Sequence, residues 1–236
     1  MIYSICDFYV EFTPKYSRLK DRSEKYIAKN QNVKPELSLE ISDEEISSYA
    51  EKYSADKDLA EYVLAGAKFY DEIIMKGAFF LHSSALCVDG YGFAFTGPCG
   101  AGKSTHASLW RKYFGSKVIS INDDKPAIKI YKDTVFICGT PFSGKHDINS
   151  NVLVPLCGIC ILEQAKENSI IRLTPTEAIG IIMSQTINPD EEGKMSKLFE
   201  LLDETLTKIP VYKLRCNTSF EVVELSYKTM KQAICQ

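Results

Sequence analysis

No stretch of this sequence approaches the ~18 consecutive apolar residues a membrane-crossing helix requires, so no membrane partner is expected. The opening run MIYSICDFYVEF lacks a basic segment followed by an apolar core, the pattern of an export signal. An excess of basic residues is also missing. With 28 Lys and Arg against 31 Asp and Glu, the formal net charge of −3 gives no general attraction to nucleic acid or anionic lipid. The eight cysteines, at positions 6, 87, 99, 138, 157, 160, 216 and 235, follow no disulfide framework and mostly fall in apolar or strand-like stretches. They read as buried thiols of a cytoplasmic protein.

What is present is a soluble globular composition: 236 residues, 45% hydrophobic, 25% charged and 11% aromatic. A chain of this length buries about 70% of its unfolded surface and needs no disulfide or structural metal. Residues 1–77 read as an accessory α+β layer. Short strands are expected over residues 2–12 and 36–41, and a helix follows Ser42, with Glu45 placed to close a capping box. A second helix is expected over residues 58–75, with an apolar stripe at Leu59, Val63, Ala67, Tyr70 and Ile74. Lys15 to Lys29, with six basic residues against Asp21 and Glu24, reads as a solvated loop. Residues 78–236 read as a nucleotide-binding domain of α/β class, its sheet mixed and largely antiparallel. A strand over residues 78–88 turns at Asp89-Gly90 into a return strand, Tyr91 to Thr96.

That return strand runs into Gly97-Pro98-Cys99-Gly100-Ala101-Gly102-Lys103-Ser104, which satisfies G-x-x-x-x-G-K-[ST] and precedes a helix expected over residues 103–114. The chemistry explains the pattern. Glycines let main-chain N–H groups converge on phosphate oxygens, and the following helix points its positive end at them. Lys103 would reach the terminal phosphates and the Ser104 hydroxyl a Mg²⁺ ion. Thr105 is a neighbouring hydroxyl, Cys99 fills the loop, and His106 reads as an exposed first-turn residue. Nucleotide binding is therefore assigned to Gly97 through Thr105, Pro98 and Ala101 included, with Lys145 from the later Ser143-Gly144-Lys145 turn as a mobile cation for the γ-phosphate.

The next strand, residues 117–121, ends in Asn122-Asp123-Asp124. A phosphate site needs a carboxylate on a neighbouring strand for its magnesium, and a second acid can take a proton. About the Asp89-Gly90 turn, paired residue numbers sum to 179, so the ladder continued sets His82 opposite Gly97. A histidine there would orient an Asp or share a proton with the reacting phosphate.

Phe80-Leu81-His82, the Asp-Gly hairpin, the Gly97–Ser104 loop and the Asp123-Asp124 pair together resemble the catalytic domain of HPr kinase/phosphorylase, a family related to ATP-dependent phosphoenolpyruvate carboxykinase. The resemblance spans about residues 78–185 and implies that family's fold. It also implies ATP with Mg²⁺, proton transfer by His82 and Asp123, metal binding by Asp124 with Ser104, and phosphate binding by Lys103. Two features depart from it. The family's Gly-Val-Glu-Asp-Arg-Gly signature is replaced by Gly139 to His146, and its C-terminal Arg-rich segment is missing. HPr is accordingly not the expected substrate, and the chain looks more like shorter members of the superfamily that act on serine or peptides.

Three signals are set aside. Cys157-Gly-Ile-Cys160 has metal or redox spacing, but in a strand positions three apart face opposite sides, so the pair reads as core. Trp110 reads as a packing residue and Arg172 as a surface residue. The expected activity is transfer of the γ-phosphoryl of ATP to a hydroxyl acceptor: serine, a peptide Ser or Thr, or a small molecule. A non-catalytic nucleotide-responsive module stands as the alternative. A carboxykinase-type reading lacks an identifiable carboxylate-binding arginine, and the oligomeric state, including a homo-oligomer, stays open.

Overall fold

A tight hairpin opens the computed structural model, which describes residues 1–232; the sequence also predicts a helix over about residues 220–235, whose last residues, Cys235 among them, lie outside the described residues. Strands β1 (Ile2–Ile5) and β2 (Phe8–Glu11) turn at Cys6 and Asp7, both at positive φ, and pair antiparallel. Helix α1 (Ser17–Ser23) follows, then β3 (Leu37–Ser38) beside β2, then helices α2 (Asp43–Tyr53) and α3 (Lys57–Ile74). Ser42 and Glu45 form the expected capping box of α2.

The second part runs β4 (Ala78–Phe80), β5 (Ser83–Val88), β6 (Tyr91–Thr96), α4 (Lys103–Phe114), β7 (Val118–Asn122), β8 (Ala127–Tyr131), β9 (Thr134–Cys138) and β10 (Leu153–Gln164). It finishes with β11 (Ser169–Leu173), α5 (Pro175–Met183), α6 (Glu192–Lys208), β12 (Val211–Cys216) and α7 (Glu221–Gln232). The fold is mixed α/β. Nine strands form one sheet, with the path β4-β8-β9-β10-β6-β5-β7 and β12 pairing both β10 and β11. Most neighbours are antiparallel, but β10 runs parallel to β6 and to β12. Because β5 is antiparallel to both β6 and β7, the strands β6, β7, β10 and β12 all point the same way. Their C-terminal ends therefore lie along one edge, where ligands of α/β sheets bind.

Both faces of the sheet are covered, which is why every residue of β5 is buried. One face packs against α5 and α6 through Ala178, Ile182, Leu198 and Leu202; the other packs against α4 and α7 through Ala107, Trp110, Val222 and Met230. A third cluster joins the N-terminal sheet and α3 to Ala78, Ala127, Cys138 and Phe142.

Several expectations are corrected. The Lys15–Lys29 segment is not a solvated loop, since it contains α1 and a 3₁₀ turn at Glu24–Tyr26. The strand expected over residues 78–88 breaks at Leu81-His82: β4 pairs with β8, whereas β5 pairs with β6 and β7. On α3 the buried face includes Ala60, Tyr62, Ala65, Phe69, Tyr70, Ile73 and Ile74; of the expected stripe, Tyr70 and Ile74 are buried, Leu59 and Val63 pack half-buried against the core, and Ala67 is exposed, the last three also lining a cavity. A bulge between Leu156 and Gly158 shifts the side-chain alternation of β10. Cys157 and Cys160 consequently share one face, with Cys157 Sγ 3.1 Å from Met230 O and Cys160 Sγ 3.4 Å from Met230 Sδ. His106 is buried, not exposed.

Candidate functional site

The hairpin register follows the sum of 179 from Val88↔Tyr91 to Ser83↔Thr96. The ladder stops there. His82 lies in the break before β5, where Thr96 Oγ1 donates to His82 O (2.8 Å) and His82 N donates to Gln185 O (2.8 Å). The last residue of β6 thus anchors the histidine, and the glycine-rich loop begins at the next position.

In that loop Gly97, Gly100 and Gly102 have φ of +139°, +81° and +98°. A Cβ at Gly97 would in addition meet Ala101 Cβ and Leu162 O at 3.2 Å, so both backbone angle and space require glycine. Ala101 N donates to Pro98 O (3.1 Å), closing a turn, and Gln164 Nε2 holds Gly100 O (2.7 Å). Gly102 precedes α4 with no side-chain cap, so the first-turn amides of Lys103, Ser104 and Thr105 have no intrahelical acceptor. Ser104, Thr105 and Cys99 are exposed. The Lys103 ammonium folds back onto Gly97 O (2.8 Å). Burial lowers its pKa, and the nearby charges of Asp124 and Cys99 oppose that. Behind the loop, Trp110 Nε1 donates to His106 Nε2 (3.0 Å), and burial pushes the His106 imidazole down to about 4.

Asn122 builds the carboxylate turn. Fully buried, it accepts from Asp124 N (2.9 Å) and Lys125 N (2.7 Å) at Oδ1, while Nδ2 donates to Thr140 O and Phe142 O, both at 3.1 Å. A bulge in the β5–β7 register sits just before it. Asp123 Oδ1 accepts from Gly144 N (2.7 Å), and any Cβ on Gly144 would crowd that carboxylate at 3.0 Å. Asp124 Oδ1 lies 3.1 Å from His82 Nε2, and Lys125 pairs with its other oxygen. The histidine is therefore joined to the second acid of the pair.

These contacts drive the two acids apart. Burial raises the Asp123 pKa above its ordinary value; the Gly144 N–H opposes this, and the neighbouring charge of Asp124 adds to it. The His82 hydrogen bond, with Lys125, holds Asp124 well below the usual carboxylate range despite its burial. One carboxyl is biased toward holding a proton and the other toward staying charged.

The N-terminal layer reaches this site, which the sequence pattern did not suggest. Arg22 of α1 stacks over the Tyr62 ring (4.8 Å) and donates from Nη1 to Tyr62 Oη (2.8 Å) and Ser143 O (3.2 Å). Ser143 N donates to the same Tyr62 hydroxyl (2.7 Å). Lys145, exposed, follows in that loop. A cavity of about 420 Å³ opens here, touching Arg22, Asp124 and Lys145. A second, of about 300 Å³, lies against Gly102, Thr105, Gln164, Asn217 and Thr218, at the ends of β10 and β12 beside α4.

Among the described residues no helix is long and apolar enough to cross a membrane. No family model and no curated protein matches the chain. Among solved structures, the HPr(Ser) kinase/phosphatase from Coxiella burnetii aligns with 64% of this chain and 98% of its own, at 12% identity and a TM-score of 0.36, a likeness too slight to carry an argument.

Proposed function

We propose that the protein is an ATP-dependent, Mg²⁺-requiring phosphotransferase that moves the γ-phosphoryl group to a hydroxyl acceptor. The observation that carries this reading is the split carboxylate pair, Asp123 raised and Asp124 lowered, standing on the same sheet edge as a loop with unbonded helix-terminal amides. A surface acidic turn has no cause for such a split. Here it follows from the burial of Asp123, which the Gly144 N–H only partly offsets, and from the His82 hydrogen bond to Asp124.

In this reading the loop amides and Lys103 hold the phosphates, with Lys103 exchanging Gly97 O for a phosphate oxygen. The nucleoside extends toward the cavity at Gln164 and Asn217. The exposed Ser104 hydroxyl and Asp124 suit Mg²⁺, which takes few protein ligands beside substrate phosphates. Among the described residues no cluster of three His, Cys, Asp or Glu makes a self-sufficient metal cage, consistent with that division. Bound there, Mg²⁺ would neutralise phosphate charge. As the acceptor oxygen bonds to the γ-phosphorus and the bond to the β,γ-bridging oxygen breaks, the hydroxyl proton passes to Asp123 and ADP leaves. His82 keeps Asp124 charged and oriented.

The test is Asp123→Asn. It should bind ATP as the parent does and lose transfer by on the order of 10²–10⁴-fold. Unchanged turnover would remove Asp123 as the base. ATP binding without acceptor-dependent ADP release in the parent would favour the nucleotide-responsive module.

A further inference from the structure

Asp123 is held by a turn that lies against the N-terminal layer. Gly144 N bonds its carboxylate (2.7 Å), and Asp147 N donates to Gly144 O (3.2 Å), which closes the turn and leaves Lys145 and His146 exposed at its tip. The segment that follows is pinned to β7 by its backbone. Asp123 N donates to Ile148 O and Ser150 N to Ile121 O, both at 3.0 Å, so Asn149 pairs with Asn122. Main-chain bonds thus fix Asn149, and side chains must fix the turn that precedes it.

Asn149 does so from the inside. It is buried, and its Nδ2 donates to Asp147 Oδ1 (2.7 Å) and Ser143 Oγ (3.0 Å), while Ser143 Oγ donates in turn to Asp147 Oδ1 (2.8 Å). One amide therefore joins both ends of the turn. It can do this in a single orientation, because the flipped amide would aim an acceptor at the Asp147 carboxylate. That orientation leaves Oδ1 facing the N-terminal layer, where a buried acceptor without a donor would be costly. The fully buried Tyr26 supplies the donor, its hydroxyl bonding Asn149 Oδ1 at 2.8 Å. Burial pushes the Tyr26 pKa up, so the hydroxyl keeps its proton. Beside it, Lys25 Nζ donates to Asn149 O (3.1 Å).

Resting on the phosphotransferase reading above, we infer that Tyr26 and Asn149 are positioning residues for Asp123: through them the N-terminal layer sets the turn that aims the reacting carboxylate. Both act through Gly144. Residues 1–77 are then a working part of the site and not an appendage to it.

The Gly144 amide resonance of ¹⁵N-glycine-labelled protein, recorded without nucleotide, reports the bond to Asp123 and involves no catalysis. Asp123→Asn gives the position that resonance takes when the carboxylate is lost. Tyr26→Phe and Asn149→Asp should each move Gly144 toward that position. The first leaves Asn149 Oδ1 without its donor; the second keeps that acceptor but sets a carboxylate against Asp147. Asn151→Ala is the control: exposed Asn151 bonds the same layer at Ser4 O (3.1 Å), beyond the pinned segment, and its loss should leave Gly144 in place. In ADP release from Mg·ATP, with water or free serine as acceptor, Tyr26→Phe should lower kcat about tenfold and hold the KM for ATP within about twofold. Gly144 unmoved in both variants, or moved as far by Asn151→Ala, would overturn the assignment, as would a loss confined to the KM for ATP. Gly144 shifts as expected in a protein whose parent releases no ADP would uphold the link between layer and turn and count against the phosphotransferase.

Discussion

Protonation of His106 should loosen the helix that follows the glycine-rich loop, and the effect can be sized. In the folded protein this imidazole is buried, accepts from Trp110 and titrates at about 4, against an ordinary value near 6.5. Below pH 6.5 the unfolded chain takes up a proton that the folded chain refuses until pH 4. Stability contributed by the neutral histidine is thus complete above pH 6.5 and lost as pH falls through that window. Between pH 7.5 and 4.5 the loss is about 2.5 kcal/mol. Urea unfolding at the two pH values, in parent and His106→Gln, isolates it, because all other titrating groups are common to both. The parent should lose about 2.5 kcal/mol more than the variant over that interval. An equal loss in both would show that His106 carries a proton in the folded state and that the burial argument is wrong. His106 N also donates to Gly102 O at the head of α4, so nucleotide affinity should fall over the same window.

Two further predictions concern the frame of the site. Gly97→Ala places a methyl 3.2 Å from Ala101 Cβ and Leu162 O at a φ of +139°, and should abolish measurable ATP binding by calorimetry; parent-like affinity would mean the loop does not grip phosphate. Tyr62→Phe leaves the buried Ser143 N–H unbonded, so a melt should show a loss of about 1–3 kcal/mol. The same variant should lower kcat with little change in the KM for ATP, because Ser143 and Gly144 hold Asp123 and not the loop; a change confined to the ATP KM would refute that.

Much of this site could be read from residue order because its geometry is local. The Asp89-Gly90 turn and the alternation on either side set the β5–β6 register, and the glycine loop between strand and helix declared itself by spacing. The capping box at Ser42 marked a helix start for the same reason. What failed was non-local. Helix α1 has a single large apolar residue, Leu19, and its N-terminus is secured by carboxylates of α3: Glu61 accepts from Lys15 N and Tyr16 N, and Asp58 from Arg18 N. Without that partner the segment looks like solvated charge. Arg22 meets Ser143 across 121 positions, beyond any periodicity. The Cys6-Asp7 turn carries neither Asn nor Gly, so two strands read as one. Asn122 stood in plain view before the two acids, but a buried amide joining both loops could not be told from a polar strand end until its five hydrogen bonds, to Thr140, Phe142, Asp124 and Lys125, were placed.

The central claim is that main-chain amides from Gly97 to Thr105 hold a triphosphate beside Asp124. Amide resonances of ¹⁵N-glycine-labelled protein test it most directly, read with and without Mg·ATP. Gly97, Gly100 and Gly102 should shift strongly and together with Gly144, while Gly115 and Gly180, at the far end of α4 and within α5, stay in place. Saturating Mg·ATP that leaves the three loop glycines unmoved would contradict the account.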